Sequence, residues 1–169
     1  MSFANPIGVF DSGVGGLSVL QHMRADLPKE NFLYIADSGY MPYGDKSKDF
    51  IEQRSIALTR FFLEQGVKAI VVACNTATAA AISTLRSIYS LPIVGMEPAV
   101  KPAVEATRSG IIGVLATTGT LESTKFGKLL HRSGKGAEVI IQPCPGLVEQ
   151  VEKAELSVEI TRTLVENYV

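Results

Sequence analysis

The sequence predicts an α/β fold in which helices cover both faces of a parallel sheet. Short apolar runs rich in β-branched residues alternate along the chain with longer stretches that carry apolar side chains at helical spacing. Strands that alternate with helices through short connections favour a parallel sheet. The chain has 169 residues, of which 46% are hydrophobic and 20% charged, and it is therefore long enough to bury a substantial core.

Six segments are predicted to form buried strands. Each is apolar, contains β-branched residues and is bounded by Gly, Pro or polar residues, which is typical of strands that are covered on both faces. In chain order they are residues 7–10, 32–35, 69–72, 93–94, 111–115 and 139–141.

Two amphipathic helices are predicted between the strands of the first half. One covers residues 48–65 and is expected to stop at Gly66, and the other begins after Cys74 and stops before Pro92. Their apolar side chains recur at helical spacing and would pack on the sheet. These side chains are Ile51, Leu58 and Phe62 in the first helix, and Ala77, Ala81, Leu85 and Ile88 in the second.

The chain is predicted to form two lobes, residues 1–97 and residues 98–169. Pro98 and Pro102 interrupt the sequence after the fourth strand and mark the boundary. The second lobe contains only two clear strands, which are too few for a stable sheet with covering helices. A final helix at roughly residues 157–168 has an apolar face that would need a larger sheet, so the second lobe is expected to be incomplete.

Composition and charge exclude several classes of function. The net charge is −1 and the basic residues are scattered, so we expect no nucleic-acid partner. The longest apolar runs are far shorter than the ~20 residues that cross a membrane, so we expect no membrane partner. Residues 1–6 lack the pattern of a signal peptide, and the two cysteines are therefore expected to be free thiols of a cytoplasmic protein.

Small polar or reactive residues follow several of the predicted strands. Because ligands bind open parallel sheets at the carboxyl ends of the strands, these residues predict a functional site. They are Asp11-Ser12-Gly13-Val14-Gly15-Gly16, Asp37-Ser38-Gly39 with Pro42-Tyr43-Gly44, Cys74-Asn75-Thr76, and Thr117-Thr118-Gly119-Thr120.

The glycine-rich segment after the first strand does not fit a nucleotide-binding motif. The dinucleotide fingerprint would require glycine where Ser18 stands, and the Lys and Ser or Thr of a Walker loop are absent. Two interpretations stay open. The segment forms a tight strand-to-helix turn, or the exposed N–H groups of that turn hold an anion or a carboxylate.

Cys74 is the most informative single residue. It ends an apolar strand and precedes Asn75 and Thr76, which are residue types that cap helices well. A thiol at a helix N-terminus is expected to have a lowered pKa, because the positive end of the helix dipole favours the thiolate. The alternative interpretation is a buried structural cysteine.

The other cysteine and the two histidines are weaker candidates. Cys144 lies between Pro143 and Pro145, has no helix start of its own and is interpreted as structural. His22 and His131 lie in polar helical stretches and are expected to be solvated. A Cys–His hydrolase is therefore poorly supported, and a metal site more weakly still, because no cluster has ligand spacing.

Several motifs resemble one known family in order and spacing. They are Phe10-Asp11-Ser12-Gly13-Val14-Gly15-Gly16-Leu17, Ala36-Asp37-Ser38 with Pro42-Tyr43-Gly44, Ala73-Cys74-Asn75-Thr76-Ala77, Pro92 to Pro98, Gly113 to Thr117, and Cys144 to Glu149. Together they resemble the glutamate racemases of the aspartate/glutamate racemase superfamily. The resemblance covers essentially the whole chain.

The resemblance implies a flavodoxin-like, parallel-sheet racemase fold with two lobes, of which the second is incomplete here. It also implies proton transfer at the α-carbon of glutamate without pyridoxal phosphate or a metal, so no cofactor is expected. In that family two cysteines flank the α-carbon. One removes a proton while the other delivers a proton to the opposite face.

The resemblance also implies roles for individual residues. Cys74 would be one of the two acid/base thiols, and Asp11 would be its polar partner and a contact for the substrate amino group. The further substrate-binding residues that it implies are Ser12, Tyr43, the backbone of Gly44, Asn75, Thr76 and, with a weaker match, Thr117.

One part of the family pattern is absent. The second cysteine of the family lies in a Gly-Cys-Thr-His segment, which these 169 residues do not contain, and Cys144 has the wrong neighbours to replace it. We therefore expect a fragment, a truncated gene product or a degenerate copy that is inactive alone. Its expected partners are glutamate and either a second copy of the chain or the missing C-terminal part.

Three functional hypotheses follow from the sequence. The leading one is conversion of L-glutamate to D-glutamate for peptidoglycan synthesis. A racemase or isomerase of aspartate or a related dicarboxylate is the alternative within the superfamily. A non-catalytic module that keeps the fold and binds glutamate is the alternative of a different class.

Overall fold

The strands observed in a computed structural model, which describes residues 4–169, agree with the predicted ones. Each predicted segment lies within an observed strand, so the predicted α/β fold class is confirmed. The strands are β1 Ile7–Asp11, β2 Phe32–Ala36, β3 Ala69–Val72, β4 Ile93–Gly95, β5 Ile111–Ala116 and β6 Glu138–Pro143.

Helices connect the strands throughout the described residues. The predicted helices after Ser47 and after Cys74 are α2 and α3, and the predicted last helix is α8, which begins at Glu159 rather than at residue 157. The α-helices are α1 Gly16–Asp26, α2 Lys48–Glu64, α3 Asn75–Ile88, α4 Val100–Ala106, α5 Thr118–Leu121, α6 Thr124–Ser133, α7 Leu147–Glu152 and α8 Glu159–Tyr168. None of the helices within residues 4–169 is long and apolar enough to span a bilayer.

The first sheet is parallel and has the strand order β2-β1-β3-β4. Asp11 at the end of β1 pairs with Ala36 at the end of β2, and Phe10 pairs with Val72 at the end of β3. The carboxyl ends of these three strands are therefore aligned at one edge. The loops that follow them are the ones for which the sequence predicts a functional site.

Alternate side chains of the first sheet face two hydrophobic layers. Phe10 and Ile70 lie in the layer that α2 and α3 cover, together with Phe62 and Leu85 from those helices. Side chains one position further along the strands, such as Val9, face the layer that α1 covers. Burial on both faces explains why these strands read as continuous apolar runs.

The second sheet consists of β5 and β6, which pair in parallel. Its inner face, with Ile112 and Val139, packs against Phe126 of α6 and Val100 of α4. The outer face, by contrast, leaves large apolar side chains in contact with solvent. They are Ile111, Leu115 and Ile140, which are 46%, 45% and 53% exposed.

The chain leaves the first sheet after β4 and enters the second at β5. We therefore retain as a proposal the division into lobes at residues 97 and 98, which falls between β4 and α4. The last helix, α8, packs partly on the loop after β6, because the Tyr168 hydroxyl donates to the Pro145 carbonyl at 2.6 Å. Ile160 on the same helix is 63% exposed.

Candidate active site

A cavity of about 420 Å³ lies where the carboxyl ends of the two sheets face each other. Every residue to which the family resemblance assigns a role lines this cavity. From the first lobe these are Asp11, Ser12, Tyr43, Gly44, Cys74, Asn75 and Thr76, and from the second lobe Thr117. The structure thus brings together residues that lie up to about a hundred positions apart in the sequence. Asp37, Ser38 and Gly39, which also follow a strand, do not line the cavity.

The turn after β1 is organised by Asp11. Its carboxylate is buried and accepts hydrogen bonds from the backbone N–H of Ser12 at 2.8 Å and of Gly16 at 2.7 Å. Gly16 is the first residue of α1, so Asp11 satisfies an N–H group that the helix itself leaves unpaired. The interpretation as a tight strand-to-helix turn therefore describes this segment well.

A carboxylate of the chain itself also lies on this turn. Both carboxylate oxygens of Glu152, at the end of α7, accept from the Val14 N–H, at 3.0 and 3.1 Å. A Cβ atom on Gly13 would lie 1.9 Å from Glu152 Oε1, so only glycine leaves room for this carboxylate. The sequence predicted that this turn could hold a carboxylate, but it did not indicate that the carboxylate would be that of Glu152.

Cys74 is buried at the start of α3 and caps the helix with its own side chain. The sulfur accepts from the Ala77 N–H at 3.3 Å, and the thiol donates to Ser12 Oγ at 3.7 Å. The expectation that Asn75 and Thr76 supply the capping group was therefore wrong. Because Cys74 is the cap, Asn75 and Thr76 occupy the first helical turn.

The predicted lowering of the Cys74 pKa is also wrong. Burial raises the pKa of Cys74 to about 11, and the negative charge of Asp11 adds to this effect. The hydrogen bonds from Ala77 and Ser12 act in the opposite direction but are weaker. At neutral pH the side chain is therefore a thiol, because desolvation of the thiolate outweighs the helix N-terminus.

Tyr43 contributes to the cavity in a way that the sequence did not indicate. Its side chain is buried, and the phenol donates to Asp37 Oδ2 at 2.5 Å. The phenol is therefore engaged within the first lobe. The following residue, Gly44, packs on the second lobe, because a Cβ atom there would lie 3.0 Å from Thr117 Cβ.

Three threonine hydroxyls join the lobes beside the cavity. Thr76 Oγ1 lies 2.9 Å from Thr117 Oγ1 and 3.2 Å from Thr120 Oγ1, and the last two are 3.0 Å apart. Thr117 caps α5, and Thr76 lies in the first turn of α3. Each hydroxyl has one proton to donate, so the triangle donates to an anionic ligand only by giving up one of its three mutual hydrogen bonds.

Among the titratable residues of the cavity wall, sequence reasoning did not place Cys144 and Glu152 at the site. Cys144 is buried, its thiol donates to the Gln142 carbonyl at 3.4 Å, and burial raises its pKa. The rule that points to the other loops also points to Cys144, because it directly follows β6. Glu152 lies at the end of a helix, and no local pattern distinguishes it from a solvated acid.

The site combines two buried thiols, two carboxylates and several hydroxyl and backbone N–H groups. Such a set can bind a small carboxylic acid that carries an amino group, and it can move a proton to or from that molecule. Within residues 4–169, no group of three or more His, Cys, Asp or Glu side chains is arranged to hold a metal ion.

Comparison with known sequences shows what this chain is similar to. A sequence profile described as "Asp/Glu/Hydantoin racemase" matches residues 7–168. The chain is 61% identical over 165 residues to a glutamate racemase of Ectopseudomonas mendocina, which corresponds to 97% of this chain and 63% of that protein. The chain thus spans less than two thirds of the length of this curated relative.

Solved structures show the same likeness. The fold is similar to that of Escherichia coli glutamate racemase in complex with L-glutamate and the activator UDP-MurNAc-ala, with a TM-score of 0.86, 34% identity and coverage of 96% of this chain and 62% of that one. It is also similar to a Francisella tularensis glutamate racemase in complex with D-glutamate, with a TM-score of 0.82, 32% identity and coverage of 98% and 62%.

Proposed function

Because the chain belongs to the Asp/Glu/Hydantoin racemase family, we propose that its cavity binds glutamate and that Cys74 exchanges the α-proton of this substrate. The observation that carries the proposal is a buried thiol that lines the same cavity as Asp11 and the hydroxyls of both lobes. Two similar proteins have been solved with L-glutamate or D-glutamate, which supports glutamate as the substrate.

The cavity suits the chemistry that racemisation demands. An α-proton beside a carboxylate is very weakly acidic, so the carbanion must be stabilised by hydrogen-bond donors fixed in a water-poor site. Ser12, Thr76 and Thr117 provide hydroxyl donors on the cavity wall, and Asn75 and the backbone of Gly44 provide N–H donors. We assign these residues to substrate binding. Tyr43 belongs to the same group because it fixes the position of the Gly44 backbone.

Asp11 couples substrate binding to the state of the thiol. Its negative charge is one cause of the raised pKa of Cys74. If the ammonium group of glutamate binds beside Asp11, its positive charge offsets that of the carboxylate and lowers the pKa of the thiol. The thiol is then easier to deprotonate when the substrate is in place, although burial, the larger cause of the raised pKa, still opposes the thiolate.

Inversion requires a proton donor on the face of the α-carbon opposite Cys74. The thiol of Cys144 donates to the Gln142 carbonyl, and we leave it out of the reaction. We therefore propose that the 169-residue chain alone does not racemise glutamate. It is expected to exchange the α-proton of one enantiomer slowly and with retention, through Cys74 acting alone.

We further propose the setting in which the activity is used. D-glutamate formed by the complete site would serve peptidoglycan synthesis in the cytoplasm, without a cofactor. The chain would act as a homo-oligomer or together with further polypeptide that contributes the second acid. The exposed apolar side chains of β5 and β6 support association, because such surfaces are normally covered.

The test is α-proton exchange in deuterated water. L-glutamate and D-glutamate are each incubated with the 169-residue chain, and the α-proton is followed by nuclear magnetic resonance while chiral chromatography follows inversion. Exchange of one enantiomer, lost in Cys74→Ala and kept in Cys144→Ala, is the expected result. Rapid conversion between the enantiomers would overturn the single-thiol argument.

The same exchange experiment with aspartate, together with binding measurements, separates the remaining hypotheses. Faster exchange of aspartate than of glutamate would assign the chain to the superfamily alternative. Binding of glutamate without exchange, measured by calorimetry and by protection of Cys74 against iodoacetamide, would favour a non-catalytic binding module. If glutamate neither binds nor protects Cys74, the proposed function is wrong.

A further inference from the structure

We propose that Arg54 is a positioning residue for the candidate site, and that it acts through Asp37 and the Tyr43 phenol to place the Tyr43–Gly44 backbone at the cavity wall. Arg54 itself does not line the cavity, and neither the sequence motifs nor the comparisons point to it. The inference rests on the proposed function, since the placed backbone is assigned to glutamate binding.

Arg54 forms a two-point ion pair with Asp37. Its Nε donates to Asp37 Oδ2 at 3.0 Å, and its second guanidinium nitrogen donates to Oδ1 at 2.7 Å. The guanidinium also stacks on the ring of Tyr40, 3.8 Å from the ring centroid. A planar fork with a stacked face fixes the carboxylate in position and in rotation, which a single contact would not do.

The fixed carboxylate then holds Tyr43. The same oxygen that accepts from Arg54 Nε, Asp37 Oδ2, also accepts from the Tyr43 hydroxyl at 2.5 Å. Tyr43 is 1% exposed, and its phenol is enclosed among core side chains of the first lobe. The aromatic ring therefore anchors the loop to a carboxylate whose own orientation is set from α2.

The anchored loop reaches the cavity at its next residue. Gly44 lies on the cavity wall and is in close contact with Thr117, where there is no room for a Cβ atom. The Tyr43–Gly44 segment is hydrogen-bonded to Asp37 on one side and packs against Thr117 on the other. A shift of the Asp37 carboxylate therefore moves the Gly44 N–H relative to the three threonine hydroxyls. Misplacement of a binding donor by about 1 Å is enough to weaken recognition severely.

The decisive experiment compares variants of Arg54 with a variant of Arg60, an exposed arginine on the same helix. Calorimetry measures the affinity of the 169-residue chain for L-glutamate, well below the melting temperature of each variant. Arg54→Met is expected to weaken binding about tenfold, since a hydrogen-bonded ion pair is lost. Arg54→Lys keeps the charge without the fork and is expected to fall between Arg54→Met and the unmodified chain, whereas Arg60→Met is expected to bind normally.

A double-variant cycle distinguishes positioning from a general loss of stability. If Arg54 acts through the phenol, Arg54→Met combined with Tyr43→Phe weakens glutamate binding no more than the stronger single variant. The amide resonance of Gly44 should shift in both single variants and remain in place in Arg60→Met. Arg54→Lys and Tyr43→Phe keep the test decisive if Arg54→Met fails to fold.

Each other outcome contradicts the proposal in a recognisable way. Normal glutamate affinity in Arg54→Met and Arg54→Lys, with an unshifted Gly44 amide, would show that Arg54 places nothing at the site. Additive losses in the double variant would show that Arg54 and Tyr43 act separately. If the unmodified chain does not bind glutamate, the proposed function fails first, and the inference fails with it.

Discussion

At the scale of single residues, the environment of Cys74 determines what the site can do. The thiol is buried beside Asp11, and its hydrogen bonds with Ser12 and Ala77 compensate only partly for the lost hydration of a thiolate. A site of this kind holds its base in the protonated form until a ligand changes the local charge. Under the proposed function, this is a physical reason for placing the Asp11 carboxylate next to the Cys74 thiol.

The raised pKa of Cys74 predicts a loss of stability in alkaline solution. The folded chain keeps the thiol proton up to a pKa of about 11, whereas the reference value for this group is 9.0. The unfolded chain therefore loses its proton first, and the free energy of unfolding falls as the pH rises from 9.0 towards 11. The contribution of this one group is on the order of 2 kcal/mol.

Denaturant unfolding at several pH values measures this effect. Cys74→Ser keeps an acceptor at the helix N-cap but does not titrate in this range, so its stability should fall less steeply. Burial also raises the pKa of Tyr34 and Tyr43, and the Cys74 charge adds the smallest part of each shift, so the two proteins share most but not all of the tyrosine contribution. Identical slopes for the two proteins above pH 9 would contradict the burial argument.

At the scale of secondary-structure elements, the turn that connects β1 to α1 is in direct contact with the end of α7. Asp11 occupies the N–H groups of Ser12 and Gly16, and Glu152 occupies that of Val14. The turn is thereby filled by carboxylates from both lobes. This crowding explains Gly13 and Gly16, because a Cβ atom at either position would clash with a neighbouring side chain.

Gly13→Ala should destabilise the chain because the new methyl group collides with the Glu152 carboxylate. We expect a loss of about 0.5–1.5 kcal/mol in the free energy of unfolding, because the end of the Glu152 side chain can move aside and its hydrogen bond with the Val14 N–H is then lost. In a Glu152→Ala background the same substitution should cost much less, because the obstacle is gone. Chemical denaturation of the four combinations measures the coupling.

A matched control comes from the helix α6. A Cβ atom on Gly127 would meet nothing within 4 Å, so Gly127→Ala should leave packing unchanged and stabilise the chain by up to about 1 kcal/mol. Equal losses for Gly13→Ala with and without Glu152 would show that the cost lies in the backbone rather than in the contact between the lobes.

At the scale of the whole molecule, the two sheets differ in how well they are covered. The first has helices on both faces, whereas the outer face of β5 and β6 carries Ile111, Leu115 and Ile140 in contact with solvent. Apolar side chains grouped in this way drive association. We therefore expect the 169-residue chain to dimerise or to form larger species.

Sedimentation velocity over a range of concentrations tests the expected association. Ile140→Lys places a charge at the centre of the outer face and should shift the distribution towards the monomer. Ile88→Lys, at a comparably exposed site on α3, should not change it. A monomer at every concentration, with or without the substitutions, would show that this face does not associate.

The sequence predicts the fold well because the strands are recognisable from their own apolar and β-branched residues. Segments such as residues 69–72 are apolar throughout, and this pattern is local. Ligands bind parallel sheets at the carboxyl ends of the strands, and this rule predicts that Cys74 and Thr117 belong to a site. Cys74 follows a strand of the first sheet and Thr117 a strand of the second, and both line the same cavity. Structural features that depend only on a few neighbouring residues can therefore be predicted from the sequence.

The properties that the sequence did not predict depend on distant residues. The direction of the Cys74 pKa shift is set by burial and by Asp11, which lies far away in the chain. The places of Glu152 and Arg54 follow from contacts between elements rather than from a motif. No local pattern carries such information, because it exists only after the elements pack.

The hydrogen bond between Val14 and Glu152 also has a kinetic consequence. It joins residues 138 positions apart, and we expect the two parts of the chain that it connects to move apart briefly before either unfolds. Protection of the Val14 amide against exchange with solvent should therefore be lost through brief parting of the lobes, well before the amides of β1 are released. If glutamate binds in the cavity as proposed, amide exchange at Val14 should slow when glutamate is added, and this single amide would then report how often the cavity opens.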